Sequence, residues 1–326
     1  MHNRFIKPWV NCGIICLLGC FYPLTSFAEY STKPITIVVP YEVGGGVDLV
    51  ARLIANELSE ALQQSVIVEN RSGGSNTIGM NYVAHAKPNG LTLGFVTSAF
   101  VMTPFYMANH PYQPLIDFKP IAIIGTLPMM LAINSKLPVN NLPEFIAYAK
   151  ARPGELNWAS IGSASSQGLA GMEFNRASNI DAQQIQYKGS SSGLKDLMGG
   201  NIQYIFNPLP SLLQHAENGS IKILGSGGTK PLKDYPQIPL IGSTLKSFTA
   251  QSWYGIVAPA GTPKSIVEKL NKTINGIINR PKIQKHLNSL GIQPFTMNSP
   301  QFAKFMQEES SKDEKIFKDV PALRNQ

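Results

Sequence analysis

The sequence predicts an α/β fold with a mostly parallel sheet, and three observations carry that expectation. Segments of strand and helix character alternate along the chain, the order that builds βαβ units. A unit of strand, small-residue turn and helix start occurs twice, over 35–62 and 158–176, so that two turns could face each other across a cleft. Two helices follow a return strand near the C-terminus, which suggests that the chain end folds back on its first half.

The first unit is the best defined. The β-branched run over 35–39 suits a buried strand, and Val47, Ala51, Ile54, Ala55, Leu58, Ala61 and Leu62 keep helical spacing. Between them Tyr41-Glu42-Val43-Gly44-Gly45-Gly46 forms a turn at the carboxyl end of a strand, where open α/β sheets hold ligands. Glycines let backbone N–H groups approach a guest, and a helix amino terminus adds unpaired donors and positive potential, so an anion is expected. A P-loop would need Lys and Ser or Thr after Gly46, where Val47-Asp48 stand; a dinucleotide fingerprint would need glycine at Leu49. A plain turn with Asp48 as helix cap is the alternative reading.

A second strand over 65–69 and a glycine turn over 70–79 lead into a helix ending near His85, and 91–96 reads as a third strand ending at Thr97-Ser98. Apolar runs at 121–125 and 129–133 open the middle of the chain, and a helix over 142–151 stops at Arg152-Pro153-Gly154. The second unit then follows: Trp158-Ala159-Ser160-Ile161-Gly162-Ser163-Ala164-Ser165-Ser166-Gln167-Gly168, with a helix over 169–176. Ile185-Gln186-Tyr187-Lys188-Gly189 precedes a helix at 194–198, and strands at 199–208, 221–224 and 253–259 come next. Thr262-Pro263 reads as an N-cap with proline at the first helical position, opening a helix whose apolar face is Ile266, Val267, Leu270, Ile274, Ile277 and Ile278; Ser299-Pro300 repeats the device for the last helix.

Composition narrows the class. The 326 residues are 43% hydrophobic and 15% charged, ordinary for a globular protein with a sizeable core. Arg4 and Lys7 precede an apolar run over 9–21, and Ser26-Phe27-Ala28 offers a small-x-small cleavage site, so residues 1–28 read as a secretory signal peptide. Leu17-Leu18-Gly19-Cys20 also has the shape of a lipoprotein site in which Cys20 would be acylated; cleavage after Ala28 is preferred because the apolar character continues to Phe27. No later stretch reaches the roughly 18 apolar residues of a spanning helix, so the mature chain is expected to be soluble. Cys12, Cys16 and Cys20 all lie in the leader, which excludes disulfides, thiol catalysis and cysteine-ligated metal from the mature protein. Removing 1–28 takes two of 28 basic residues and none of 20 acidic ones, leaving net +6 with no basic run that would point to nucleic acid.

Catalytic constellations are weak. Gly189-Ser190-Ser191-Ser192-Gly193 matches G-x-S-x-G by letter, but Tyr187-Lys188 before it is no buried strand end. A secreted hydrolase would have to use Ser191 or Ser165. The five histidines never pair at metal-ligand spacing, and Glu308-Glu309 reads as a solvated helix face. No nucleophile, base and oxyanion site assemble, so catalytic residues, metal and cofactor are all expected to be absent and binding is favoured.

Several longer motifs then occur in order: Val39-Pro40-Tyr41-x-x-Gly44-Gly45-x-x-Asp48-x-x-Ala51-Arg52, Val68-Glu69-Asn70-Arg71-x-Gly73, Ala86-x-Pro88-x-Gly90-x-Thr92-Leu93, Tyr187-Lys188-Gly189 with Asp196-Leu197-x-Gly199-Gly200, and Trp253-x-Gly255-x-x-Ala258-Pro259-Ala260-Gly261-Thr262-Pro263. On these the chain, from about Lys33 to Lys318, resembles the Bug receptor family, the extracytoplasmic solute-binding components of tripartite tricarboxylate transporters. The resemblance implies a two-lobed periplasmic binding protein fold of type II, each lobe a mostly parallel sheet flanked by helices. Lobe 1 would comprise 29–126 and 252–326, lobe 2 would comprise 127–251, and the ligand would lie in the cleft between them. It implies ligand contacts from Tyr41, Val43, Gly44, Gly45 and Asp48 in the first turn and from Ser160, Gly162 and Ser165 in the second, with Ser98 and Asn207 at strand ends. It also implies a monomeric periplasmic receptor that delivers a small organic acid to membrane permease subunits, the alternative being a ligand sensor for a signalling partner. Val43, Ser72, Ala164, Gly168 and Gln203 depart from the family's usual residues, two of them beside the second turn, so ligand identity cannot be borrowed from a relative.

Neither turn, over 41–48 or 160–168, contains Lys or Arg. A carboxylate would be held by N–H groups, hydroxyls and water, each bond to a charged group contributing about 1.5–3 kcal/mol. About four such bonds support micromolar affinity. A tricarboxylate would be poorly neutralised, with Asp48 and Glu42 adding negative charge, so a small mono- or dicarboxylate is expected.

Overall fold

A computed structural model describes residue 2 and residues 33–319, apart from 45, 108, 162–164, 188 and 247. The leader, its cleavage site and Cys20 lie outside the described residues. From Lys33 onward the chain forms one compact unit.

Its first part is β1 (Ile35–Val39), α1 (Gly46–Leu62), β2 (Val66–Asn70), α2 (Thr77–Ala84), β3 (Thr92–Thr97) and α3 (Ala99–Tyr106). A 17-residue strand, β4 (Phe118–Asn134), follows. Next come α4 (Leu142–Lys150), β5 (Leu156–Ser160), α5 (Ser166–Ser178), β6 (Ala182–Gln186), α6 (Ser190–Gly199), β7 (Tyr204–Pro208), α7 (Leu213–Glu217) and β8 (Ile221–Ser226). The chain returns along β9 (Gln251–Pro259) and ends with α8 (Lys264–Ile278), α9 (Pro281–Ser289), β10 (Gln293–Pro294) and α10 (Ser299–Asp319).

The strands form a continuous curled sheet in the order β2-β1-β3-β9-β4-β7-β5-β6, with β8 and β10 also pairing β4. β1 is parallel to β2 and β3, and β5 is parallel to β6 and β7. Every antiparallel pairing involves β4 or β9, the two strands that run through the middle. β4 pairs β9 as far as Pro128 and pairs β7 from Met129, so one strand belongs to both groups.

This corrects the reading of 121–125 and 129–133 as separate runs. Gly125 and Pro128 look like breaks in sequence. Instead, Gly125 sits where β10 crosses so closely that a Cβ would lie 2.5 Å from the Gln293 carbonyl oxygen, and Pro128 stands at the change of partner, where a missing N–H costs little. Three helices were not foreseen, the five-residue α7 among them. α3 is apolar all round and contains Pro104, and α9 announces itself only by Pro281 at its start. α8 begins one residue later than expected: Pro263 is the cap, and the Thr262 hydroxyl donates to the Pro259 carbonyl (2.7 Å) instead of capping the helix.

Each group of strands has its own core. The first packs Val38, Val96, Phe100, Phe118, Trp253 and Phe302, with Trp253 edge-on to Phe302 at 5.6 Å. The second packs Phe145, Trp158, Phe174, Tyr204, Phe206 and Phe248. Burying each such ring contributes about 1.5–3 kcal/mol. A smaller cluster of Met102, Tyr106 and Phe317, backed by Leu169 and Met172, joins α3 and α10 to α5 and so links the two groups.

Candidate functional site

The first glycine turn is shaped from below by Asp48. This carboxylate is 1% exposed and accepts from the Gly44 amide, Arg52 Nε and Asn70 Nδ2, each at 2.9 Å. Asn70 Nδ2 also reaches the Tyr41 carbonyl (3.1 Å), and Arg52 Nη2 donates to Asn70 Oδ1 (2.9 Å). Burial opposes ionisation of Asp48, but the bonds from Arg52, Gly44 and Asn70 outweigh it and hold its pKa at about 2. Gly44 adopts φ +84°, which favours glycine. The turn is therefore braced by a closed cage, and Asp48 is spent on that cage.

Above the turn opens a cavity of about 500 Å³. One wall is Tyr41, Val47, Asn76, Thr97, Ala99 and Tyr106; the opposite wall is Ile161, Ser165, Ser166, Gln167, Gln186 and Pro208. Leu127, Met129, Ser252 and Tyr254 form the floor, on β4 and β9. Strand register sets these neighbours, because Thr97 stands opposite Tyr254 and Met129 opposite Pro208.

Four helix amino ends border this space. Val47 lies in the first turn of α1, Asn76 caps α2, Ala99 opens α3, and Ser165 and Ser166 begin α5. The Ser165 hydroxyl oxygen caps α5 by accepting from the Gly168 amide (3.0 Å), whereas α2 and α3 start without a side-chain cap. No Asp, Glu, Lys, Arg or His lines the cavity among the described residues. Helix amino ends carry partial positive charge, so an uncharged lining here gives a site with net attraction for an anion. The phenols stay protonated: burial pushes Tyr41 up to about 12 against the Thr97 hydrogen bond (2.7 Å), and burial raises Tyr254 and Tyr106 too.

Of the residues expected from sequence, Tyr41 and Ser165 line the cavity. Asp48 lies beneath it, and Val43 is 70% exposed and is not part of the cavity lining. Ser160 and Asn207 are buried behind Gln167, whose Nε2 donates to Asn207 Oδ1 (2.5 Å) and Ser190 Oγ (2.7 Å). The Asn207 Nδ2 group has no partner there among the described residues. Ser98 sits one step from the cavity, its Oγ 2.8 Å from Ser252 Oγ and 3.1 Å from Ser166 Oγ, tying β3, β9 and α5 together. Gly45 and Gly162 lie outside the described residues.

Sequence reasoning missed Gln167, Thr97, Tyr254 and Arg52. Gln167 and Thr97 adjoin residues that were named, and Arg52 stands four residues after Asp48, a helical ion-pair spacing. Because Arg52 offsets Asp48, Asp48 does not add the repulsion toward an anion expected from its position in the turn. Ser191, in the G-x-S-x-G match, is exposed on the first turn of α6, away from the cavity lining.

Comparison with known proteins follows the same outline. A family model described as the tripartite tricarboxylate transporter family receptor matches residues 50–321. A protein of the tcbD-tcbE intergenic region of Pseudomonas sp. strain P51 is 33% identical over 266 residues, 81% of this chain and 79% of the relative. Among solved structures, the periplasmic binding protein BugD superimposes with a TM-score of 0.77 at 27% identity, over 90% of this chain and 99% of BugD. Rpa4515 of R. palustris, solved with adipate, superimposes with a TM-score of 0.76 at 31% identity, over 90% of this chain and 97% of its own.

Proposed function

Given that the chain belongs to the tripartite tricarboxylate transporter receptor family, a family of periplasmic solute receptors, we propose that its cavity captures a small mono- or dicarboxylate with an apolar body and presents it to membrane permease subunits. The observation that carries this reading is the convergence of four helix amino ends on a cavity without charged side chains. One carboxylate group would take the unpaired backbone N–H donors at the start of α5, and the apolar body would lie against Leu127, Met129 and Tyr254. Adipate in the Rpa4515 structure supports a guest of this class. A volume of about 500 Å³ falls within the usual range for small-molecule sites.

In this reading β4 and β9 are the hinge, 29–126 with 252–326 form lobe 1, and 127–251 form lobe 2. The leader 1–28 directs export and is removed after Ala28. The protein acts as a monomer and returns its ligand unchanged: Ser165 is engaged as a helix cap, and no histidine lines the cavity among the described residues. Calorimetric titration with adipate, succinate, benzoate, citrate and adipamide tests the proposal. The expected result is micromolar binding of at least one mono- or dicarboxylate and none of the neutral amide. Citrate binding more tightly than every smaller acid would overturn it.

A further inference from the structure

On the far side of Ser98 and Ser166 from the cleft lies a larger cavity, about 720 Å³, between α5 and α10. Its inner surface is apolar, with Trp158, Leu169, Met172 and Ala250. Its charged lining comes from both helices: Glu173 and Arg176 on α5, and Glu309, Lys312, Asp313 and Lys315 on α10. Arg176 is paired with Glu173 (2.6 Å), and Lys312 reaches out to Thr249 Oγ1 (3.2 Å). Lys312 and Lys315 are exposed, whereas Asp313 is 8% exposed and Glu309 is half-buried. Depth therefore separates the signs, with carboxylates inside and ammonium groups at the mouth. Glu309 is not the solvated position read from sequence.

Asp313 has no hydrogen-bond or ion-pair partner among the described residues. The same cavity wall contains two further polar atoms without partners there, the Trp158 indole N–H and the Gln251 Oε1 acceptor. A carboxylate this buried and without a protein partner is stabilised by taking a proton or a cation. No group of three or more His, Cys, Asp or Glu that could hold a metal occurs among the described residues, so an organic cation suits the wall better than a metal ion.

We propose that this cavity is a second ligand site, for a small organic cation carrying an ammonium group on an apolar body. The ammonium would donate to Asp313 and Gln251 Oε1, and the body would lie on Leu169, Met172 and Ala250. Burial raises the Asp313 carboxyl to about 8, with Glu309 adding to the shift and Lys312 opposing it; burial raises Glu309 as well. At neutral pH cation binding would displace a proton, so affinity rises with pH.

The test is calorimetric titration of the full mature chain with n-hexylammonium chloride, with hexan-1-ol and sodium chloride as controls. The expected result is one-to-one binding of hexylammonium alone, strengthening by up to about tenfold per pH unit between pH 6 and 8. Asp313→Asn should weaken it at least tenfold while leaving the melting temperature and the affinity of the main cleft's acid ligand unchanged. Ala182→Leu, which fills the cavity from β6, should weaken it with Asp313 intact. No binding at millimolar hexylammonium at pH 8.5, equal binding of hexanol, or affinity unchanged in Asp313→Asn would each overturn the proposal. Acid binding in the main cleft is measured separately, so failure there and failure here are distinguishable.

Discussion

At the scale of single residues, Asp48 does more for the shape of the cleft than for its ligand. Its pKa is lowered from 3.8 to about 2, so the stabilisation it provides is complete above about pH 4 and is lost as pH falls through about 2. That shift corresponds to about 2 kcal/mol. Asp48→Asn should lower stability by about that amount at pH 7 and by little at pH 2, read by urea unfolding at the two pH values; equal losses would refute the cage. Tyr41→Phe removes the Thr97 hydrogen bond, worth about 0.5–1.5 kcal/mol, and should weaken ligand binding no more than about tenfold. Wild-type affinity should show no Tyr41 titration below pH 10, because the phenol ionises near 12. Residue roles were only partly legible. Glycines and hydroxyls marked both turns, and the Asp48–Arg52 spacing was visible, but Asn70 completes the cage from the end of β2, and no local pattern reports that contact.

Among the elements, those with a local signal were legible and those defined by long-range pairing were not. α1 and α8 show their apolar faces in sequence, and Val267, Leu270, Ile274, Ile277 and Ile278 are all buried. β4 was read as two pieces because its continuity depends on β9 for one half and β7 with β8 for the other. α5 shows how tightly an element can be fixed: a Cβ at Gly171 would stand 2.2 Å from the Trp158 ring. Gly171→Ala should therefore destabilise by about 1–3 kcal/mol and change tryptophan fluorescence, since neither helix nor ring has room to retreat. A stability equal to wild type would show that α5 moves more freely than its packing indicates. Because α5 supplies Ser165, Ser166 and Gln167, loss of acid affinity should accompany the loss of stability.

Across the whole molecule, the alternation of strands and helices, the two facing turns and the returning C-terminus were all legible. The floor of the cleft was not, because Leu127, Met129, Ser252 and Tyr254 are brought there by the register of β3 with β9 and of β4 with β7. The second cavity was equally hidden, since its lining brings together α5 and α10, which are far apart in sequence. Two strands, the Ser98–Ser252–Ser166 contacts and the apolar cluster of Met102, Tyr106 and Phe317 with Leu169 and Met172 connect the groups on either side of the cleft, so a change in their angle must slide that cluster as well as alter the hydroxyl contacts. Ligand binding should reduce the radius of gyration measured by small-angle scattering, and an unchanged profile would rule out closure. The central claim, that the cleft holds an organic acid and releases it unchanged, is tested most directly by native mass spectrometry of the protein from a rich medium, followed by denaturing release of any bound molecule. The account expects a mono- or dicarboxylic acid at one per chain, recovered intact. A stoichiometric neutral or cationic molecule displaced by cleft substitutions, or an acid converted to another product, would contradict it.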